Sequence, residues 1–231
     1  MNNKYNADKE WEKAFENTSI AYPSEYVIRI LKGSYPKLEL DKNSFKNKLF
    51  LDMGCGDGRN LVLAHSLGFK ILGVEISQRL VDIVKKNLLN EGIKHFDIRV
   101  GKNNQIPFNN NEIDYLLSWN SSYYMGKTEL DYKENVKEFA RILKSDGQLI
   151  LSIPKASSFI YKDSEEIKKG YRLIKNDPFN VRNGEILRMF SSQEEIENTF
   201  SEWFKDFRFA SIHDDCFGLD YHWHLAVCIK K

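Results

Sequence analysis

The chain has 231 residues and a formal net charge of +1, a length suited to one α/β domain and a charge too close to zero to favour nucleic acid or an anionic membrane. Its three cysteines, Cys55, Cys216 and Cys228, follow no metal or disulfide spacing. The N-terminus is polar and no apolar run approaches the ~18 residues of a membrane span, so a reduced, cytoplasmic chain without metal is expected.

The first predicted elements are helical. Residues 8–17 carry Trp11, Ala14 and Phe15 at helical spacing, and Ser24 to Lys32 sets Tyr26, Val27, Ile30 and Leu31 on one stripe between Pro23 and Gly33. This arm (1–44) either packs on the flank of a sheet or caps a site, with Trp11 or Tyr22 near a ligand. Leu49 to Leu51 then reads as a strand buried on both faces, closed by Asp52. Gly54, Gly56 and Gly58 alternate after it, and Leu61, Val62, Ala64 and Leu67 continue as a helix that stops at Gly68. Strand, glycine turn and helix form the unit that lays a ligand against a helix N-terminus. Glycine admits φ > 0 there and lets backbone N–H groups approach without a Cβ in the way. The third glycine comes one residue early for the GxGxxG of dinucleotide sites, which disfavours the alternative of an NAD-dependent oxidoreductase.

The pattern then repeats. Lys70 to Glu75 is a short buried strand ending in an acid, placed where a carboxylate accepts from the two ribose hydroxyls of a nucleoside. Ser77 caps a helix with Leu80, Val81, Val84 and Leu88 inward. Phe96 to Val100 and Ile113 to Ser118 are the third and fourth strands, residues 129–143 an amphipathic helix, and Gln148 to Ile153 a fifth strand stopped by Pro154. Residues 155–189 break the rhythm with aromatics, arginines and an expected short helix near Ser164–Lys169. Ser191 or Ser192 caps a last helix, and Phe207 to Ile212 and Tyr221 to Ile229 are the sixth and seventh strands. Alternating strands and helices imply a parallel sheet covered on both faces.

This order, with Asp-x-Gly-x-Gly-x-Gly after the first strand, Glu75, the Ile106-Pro107-Phe108 turn, the strand with Asp114 and the turn Leu143-Lys144-Ser145-Asp146-Gly147, resembles the class I S-adenosylmethionine (SAM) methyltransferases over about residues 45–231. The resemblance implies a Rossmann-like three-layer α/β sandwich in a single domain (1–231). Its seven-stranded, mostly parallel sheet would run 3-2-1-4-5-7-6 with the seventh strand antiparallel. It implies SAM as cofactor, with S-adenosylhomocysteine as product, and a cofactor site built from Asp52, Gly54, Cys55, Gly56, Gly58, Asn60, Glu75, Ile76, Lys102, Asn103, Asn104 and Asn120. In that site Asp52, Gly54 and Gly56 would line the methionine and ribose, and Asn120 the transferable methyl. The family commonly has an acid after the glycine at 101. Lys102, which can only donate, stands there, so Asn103, Asn104 or a backbone carbonyl would accept from the adenine.

Ligands of open α/β sheets sit beyond the carboxyl ends of the parallel strands, where the sixth strand ends and the seventh begins. His213, His222 and His224, with Tyr123 from the fourth strand, are therefore the candidates for a catalytic base, His222 and His224 sharing one strand face. The insertion at 155–189 reads as a substrate lid. Arg172, Arg182 and Arg188 are candidates to clamp a phosphate or carboxylate, and Tyr22, Tyr124 and Asp214 to contact substrate. A weaker resemblance of the arm and lid to bacterial small-metabolite methyltransferases points to a sugar, phosphorylated or surface-carbohydrate acceptor. A chain that acts as a monomer or homodimer on a small molecule, without nucleic acid or membrane, is the expectation; a non-catalytic SAM-binding module is the second alternative.

Overall fold

The computed structural model describes residues 7–16, 20–125 and 130–231; the expected lack of a leader at residues 1–6 and the first residue of the helix expected at 129–143 lie outside them. The arm holds α1 (Ala7–Glu16) and α2 (Glu25–Lys32). The alternating part runs β1 (Leu49–Met53), α3 (Arg59–Ser66), β2 (Lys70–Glu75), α4 (Gln78–Asn90), β3 (Phe96–Val100), β4 (Ile113–Ser118), α5 (Tyr132–Ile142) and β5 (Leu143–Pro154). Three short strands follow, β6 (Glu165–Lys168), β7 (Tyr171–Leu173) and β8 (Ile186–Arg188), and then α6 (Gln193–Phe200), β9 (Phe204–Cys216) and β10 (Leu219–Lys230).

The main sheet is ordered β3-β2-β1-β4-β5-β10-β9. The first five of these strands are parallel to one another, and β10 is antiparallel to both β5 and β9. This is the expected order, with the last two strands renumbered because the insertion contributes strands of its own. The sheet alternates its side chains between two apolar layers. Phe50, Ile71, Tyr115, Ile150 and Trp223 face α2, α3 and α4, whereas Leu51, Leu72, Leu116, Leu149 and Ala226 face α5 and α6. Fully burying each such side chain is worth about 1.5–3 kcal/mol, so a one-residue slip of any strand would expose a whole face.

The insertion differs from its expectation. Ser164–Lys169 is composed for a helix, yet Glu165–Lys168 is an exposed strand paired with β7, which in turn pairs with β8. Gly170 at φ +75° turns the chain back on itself. Pairing with Tyr171–Leu173 then overrides a helix propensity of a few tenths of a kcal/mol per residue. Pro23 also sits outside α2, which starts at Glu25 after the cap position Ser24.

Candidate functional site

The glycine turn is held from below by β2: the amides of Gly54 and Cys55 both donate to Val74 O, at 2.9 and 3.3 Å. Gly54 has φ +72°, and a Cβ there would come 2.6 Å from Ser121 Cβ in the loop after β4, so this position admits only glycine on two counts. Gly56 has φ +61°, and a Cβ would meet the Phe15 ring at 3.2 Å. Gly58 serves the fold instead: at φ +91° it starts α3 and lies 3.4 Å, at its would-be Cβ, from Val84 of α4. The Cys55 side chain is buried, its sulfur against Gly73.

Two acids stand beneath this turn. Glu75 accepts from Gly56 N at 2.5 Å and Ile76 N at 3.1 Å, and burial raises its pKa to about 7 against those hydrogen bonds. Asp52 is 1% exposed, and neither of its oxygens has a hydrogen-bond partner. Burial first, then the nearby Glu75, raises its pKa to about 8, while the Arg59 charge and the Asn60 side chain, the group closest to a hydrogen bond with it, pull the other way. An unpaired buried carboxyl at a strand end is costly and marks a place where charge is to be supplied.

The arm closes over the turn. Ala21 N donates to Asp57 at 3.0 Å and Ser24 N to Asn60 at 3.2 Å. Above them α1 lays Phe15 over Gly56. Ser77 donates to Glu12 at 2.7 Å, Arg79 pairs with Glu16, and Arg182 of the insertion sits 5.4 Å over the Trp11 ring. The arm divides between its two readings: Val27, Ile30 and Leu31 of α2 pack against the sheet, and α1 lies over the glycine turn. Tyr22, expected in the site, is 93% exposed and faces solvent.

Beyond β3, Ile76, Gly101, Lys102 and Pro107 border a cleft of about 530 Å³. Asn103 donates to Ser121 O at 2.8 Å and leaves its buried Oδ1 unpaired; Asn104 is exposed.

After β4, Asn120 takes φ +56°. Its amide N donates to Ser152 Oγ at 2.7 Å, Ser152 Oγ donates to Asn120 Oδ1 at 2.9 Å, and Asn120 Nδ2 donates to the Tyr221 hydroxyl at 3.4 Å. Ser152 escaped the sequence-based set of site residues. The signal for Ser152 was a serine inside the apolar run Leu149-Ile150-Leu151-Ser152-Ile153.

Strand alternation corrects the expected bases. Tyr221 and Trp223 stack with their ring centroids 3.8 Å apart and extend towards Phe159 on the Asn120 side. His222 and His224 therefore point to the opposite face. There His222 packs on His213 at 4.9 Å and shares a 3.0 Å hydrogen bond with Ser157, while His213 lies 2.5 Å from Lys155 Nζ. Lys155 holds the His213 pKa below its ordinary value. His224 is buried with Nδ1 unpaired and its pKa pushed down to about 4, chiefly by burial. Tyr123 is fully buried and its pKa well above 10, so its hydroxyl stays protonated.

The expected arginine clamp is also dispersed. Arg172 is opposite Glu166 in the β6–β7 register and donates to Ser164 Oγ and O at 2.8 Å each. Arg188 pairs with Glu195 at 2.6 Å. Only Arg182 reaches the neighbourhood of Tyr123 and Tyr124. Asp214 accepts from Tyr26 of α2 at 3.0 Å and is used there. Among the described residues no group of three His, Cys, Asp or Glu side chains is placed to hold a metal ion, and no helix is long and apolar enough to cross a membrane.

Fold and site together define a Rossmann-like enzyme domain with a glycine turn, two buried acids and a capping helix. Residues 51–151 match the methyltransferase domain family. MJ1123 of Methanocaldococcus jannaschii, an uncharacterized protein, is 31% identical over 74% of this chain and 70% of its own length. A SAM-dependent methyltransferase of Methanosarcina mazei superposes with a TM-score of 0.63 at 17% identity, over 85% of this chain and 98% of that one. PH0226 of Pyrococcus horikoshii gives a TM-score of 0.64 at 18% identity, over 95% and 99%. The chain belongs to the class I SAM-dependent methyltransferases, and its fold implies SAM as cofactor.

Proposed function

We propose that this chain moves the methyl group of SAM to an oxygen or nitrogen atom of a small molecule. The observation that carries this reading is Asp52, whose two buried oxygens lack partners beneath a glycine turn in which Gly54 leaves no room for a side chain. A cofactor with an ammonium, a sulfonium and ribose hydroxyls fits that chemistry. Asp52 would hold the cationic end, Gly54 and Gly56 would permit close approach, Glu75 would accept from the ribose hydroxyls, and Asn103 Oδ1 would be the acceptor that Lys102 cannot be. When bound, SAM supplies an electrophilic methyl on a sulfonium whose thioether leaves readily.

What the chain adds is position. Ser152 and Tyr221 lock Asn120 at the end of β4, α1 and residues 155–189 exclude water, and proximity with alignment supplies up to ~7–11 kcal/mol of barrier reduction for well-held partners. Tyr123, protonated by burial, donates and does not act as base. The closing test is a melting scan with SAM, S-adenosylhomocysteine and NAD. A ligand at ~100 times its Kd adds about 2.7 kcal/mol, a rise in Tm of about 5–11 °C at this length. A rise with NAD and none with either SAM-type ligand overturns the reading.

A further inference from the structure

Residues outside the cofactor cradle converge on one patch in which donors outnumber acceptors. Arg182 Nε and Trp223 Nε1 are buried and have no partner, as are the hydroxyls of Tyr123 and Tyr124. The first two have no lone pair to offer, so only an acceptor satisfies them. Burying such donors without one is unfavourable. The patch is contiguous. Tyr123 and Tyr124 stack at 5.2 Å, Arg182 lies close to both and comes nearest to a hydrogen bond with the Tyr124 hydroxyl, and Tyr123 also lies close to Tyr221, which stacks on Trp223.

Two acids of the chain lie near Tyr124, Glu185 and Asp177. Asp177 is fully buried and accepts from Arg182 Nη1 at 2.9 Å, Val181 N at 3.0 Å and Arg182 N at 3.3 Å. That leaves Arg182 Nε without an acceptor. The Tyr221–Trp223 stack, with Phe159 5.8 Å from Trp223, forms a flat apolar wall beside the donors. Asn120, hydrogen-bonded to Tyr221, joins this wall to the proposed methyl-transfer position.

The geometry points to a methyl acceptor that is a ring compound carrying a carboxylate-type oxyanion, its ring on the Tyr221–Trp223 wall and its oxyanion on Tyr123, Tyr124, Arg182 and Trp223. This rests on the methyltransferase reading above and narrows its substrate class. An amine-bearing acceptor is disfavoured, because a cation would face N–H donors. Aromatic acids and uronic acids share the required chemistry.

Calorimetric titrations of the full chain, with and without saturating S-adenosylhomocysteine, decide the matter. The probes are 3,4-dihydroxybenzoate against catechol and dopamine, and D-glucuronate against D-glucose. At least one carboxylate is expected to bind tenfold or more tightly than its uncharged counterpart, and the tighter of the two names the ring. Arg182→Lys keeps the charge beside Asp177 but loses the Nε donor. With Tyr124→Phe and Trp223→Phe, it is expected to weaken that carboxylate five- to thirtyfold while its melting temperature shows the fold intact. The inference is overturned if neither carboxylate is preferred, if dopamine binds as tightly, or if all three variants keep the preference. Binding of S-adenosylhomocysteine without a carboxylate preference sinks this inference alone; its failure to bind sinks the methyltransferase reading, and the carboxylate titrations still score the oxyanion site.

Discussion

Replacing Asp52 by asparagine is expected to move stability and cofactor affinity in opposite directions. The carboxyl is buried without a partner, and its pKa rises from 3.8 to about 8. Between those values the folded chain binds a proton that the unfolded chain releases, so stability falls as pH rises through that window. At about 1.36 kcal/mol per unit, the cost at pH 7 has a ceiling of about 4 kcal/mol, reached with the folded group still protonated. Asparagine removes this cost but leaves a buried amide that forgoes about 1–3 kcal/mol of hydrogen bonding. A net gain of about 1–3 kcal/mol remains, or a Tm higher by about 2–12 °C at this chain length. The gain should be absent near pH 4 and full near pH 8. Losing a charge-assisted partner of the ammonium, worth about 1.5–3 kcal/mol, should weaken S-adenosylhomocysteine about 10–100-fold. Melting curves across pH 4–8 and isothermal titration supply both numbers. An Asp52→Asn variant that melts lower than the parent at pH 8, or that binds S-adenosylhomocysteine equally well, would refute the argument.

The cradle predicts that Gly54→Ala, forced to hold φ +72° against Ser121, loses about 2–3 kcal/mol and most cofactor affinity; a melt within 1 °C of the parent would mean that the turn relaxes freely. Ser152→Ala strands the buried amide of Asn120 and should cost about 1–3 kcal/mol, with Ser152→Thr retaining most of it, as thermal unfolding followed by circular dichroism would show. His224 is held neutral with its pKa near 4, so the unfolded chain takes up its proton first and stability drops as pH falls from about 6.5 to 4. His224→Leu should flatten that acid limb, and an unchanged limb would assign it to other groups. The double variant His213→Gln, His222→Gln, on the face away from Asn120, should leave the S-adenosylhomocysteine melting shift and methyl transfer intact; a tenfold loss of transfer would return these histidines to the site.

Much of this molecule was legible before folding. The alternating glycines, the acids closing β1 and β2, and the apolar periodicities are local statements: left-handed φ, a strand end or a helical stripe is written within a few residues. Gly54 and Gly56 do take left-handed φ, and Glu75 does end β2. Side chains whose role depends on a distant partner were not legible. Arg172, Arg182 and Arg188 look alike in the sequence, yet β-register gives the first to Glu166, packing gives the third to Glu195, and only Arg182 reaches the tyrosines.

The amino-acid sequence by itself determined the succession of strands and helices along the chain, the glycine turn and the two acids beneath it, because each follows from backbone sterics and burial within one segment; the order of the strands across the sheet was an implication of the family resemblance. Only the tertiary structure decided which side of β10 faces the site, since a period-two strand hides its facing until a neighbour sets the register. That choice turns Tyr221 towards Asn120, a partner 101 residues away, and turns His222 and His224 from it. The same long-range packing brought Phe15 over Gly56 and left the buried donors around Arg182 waiting for an acceptor.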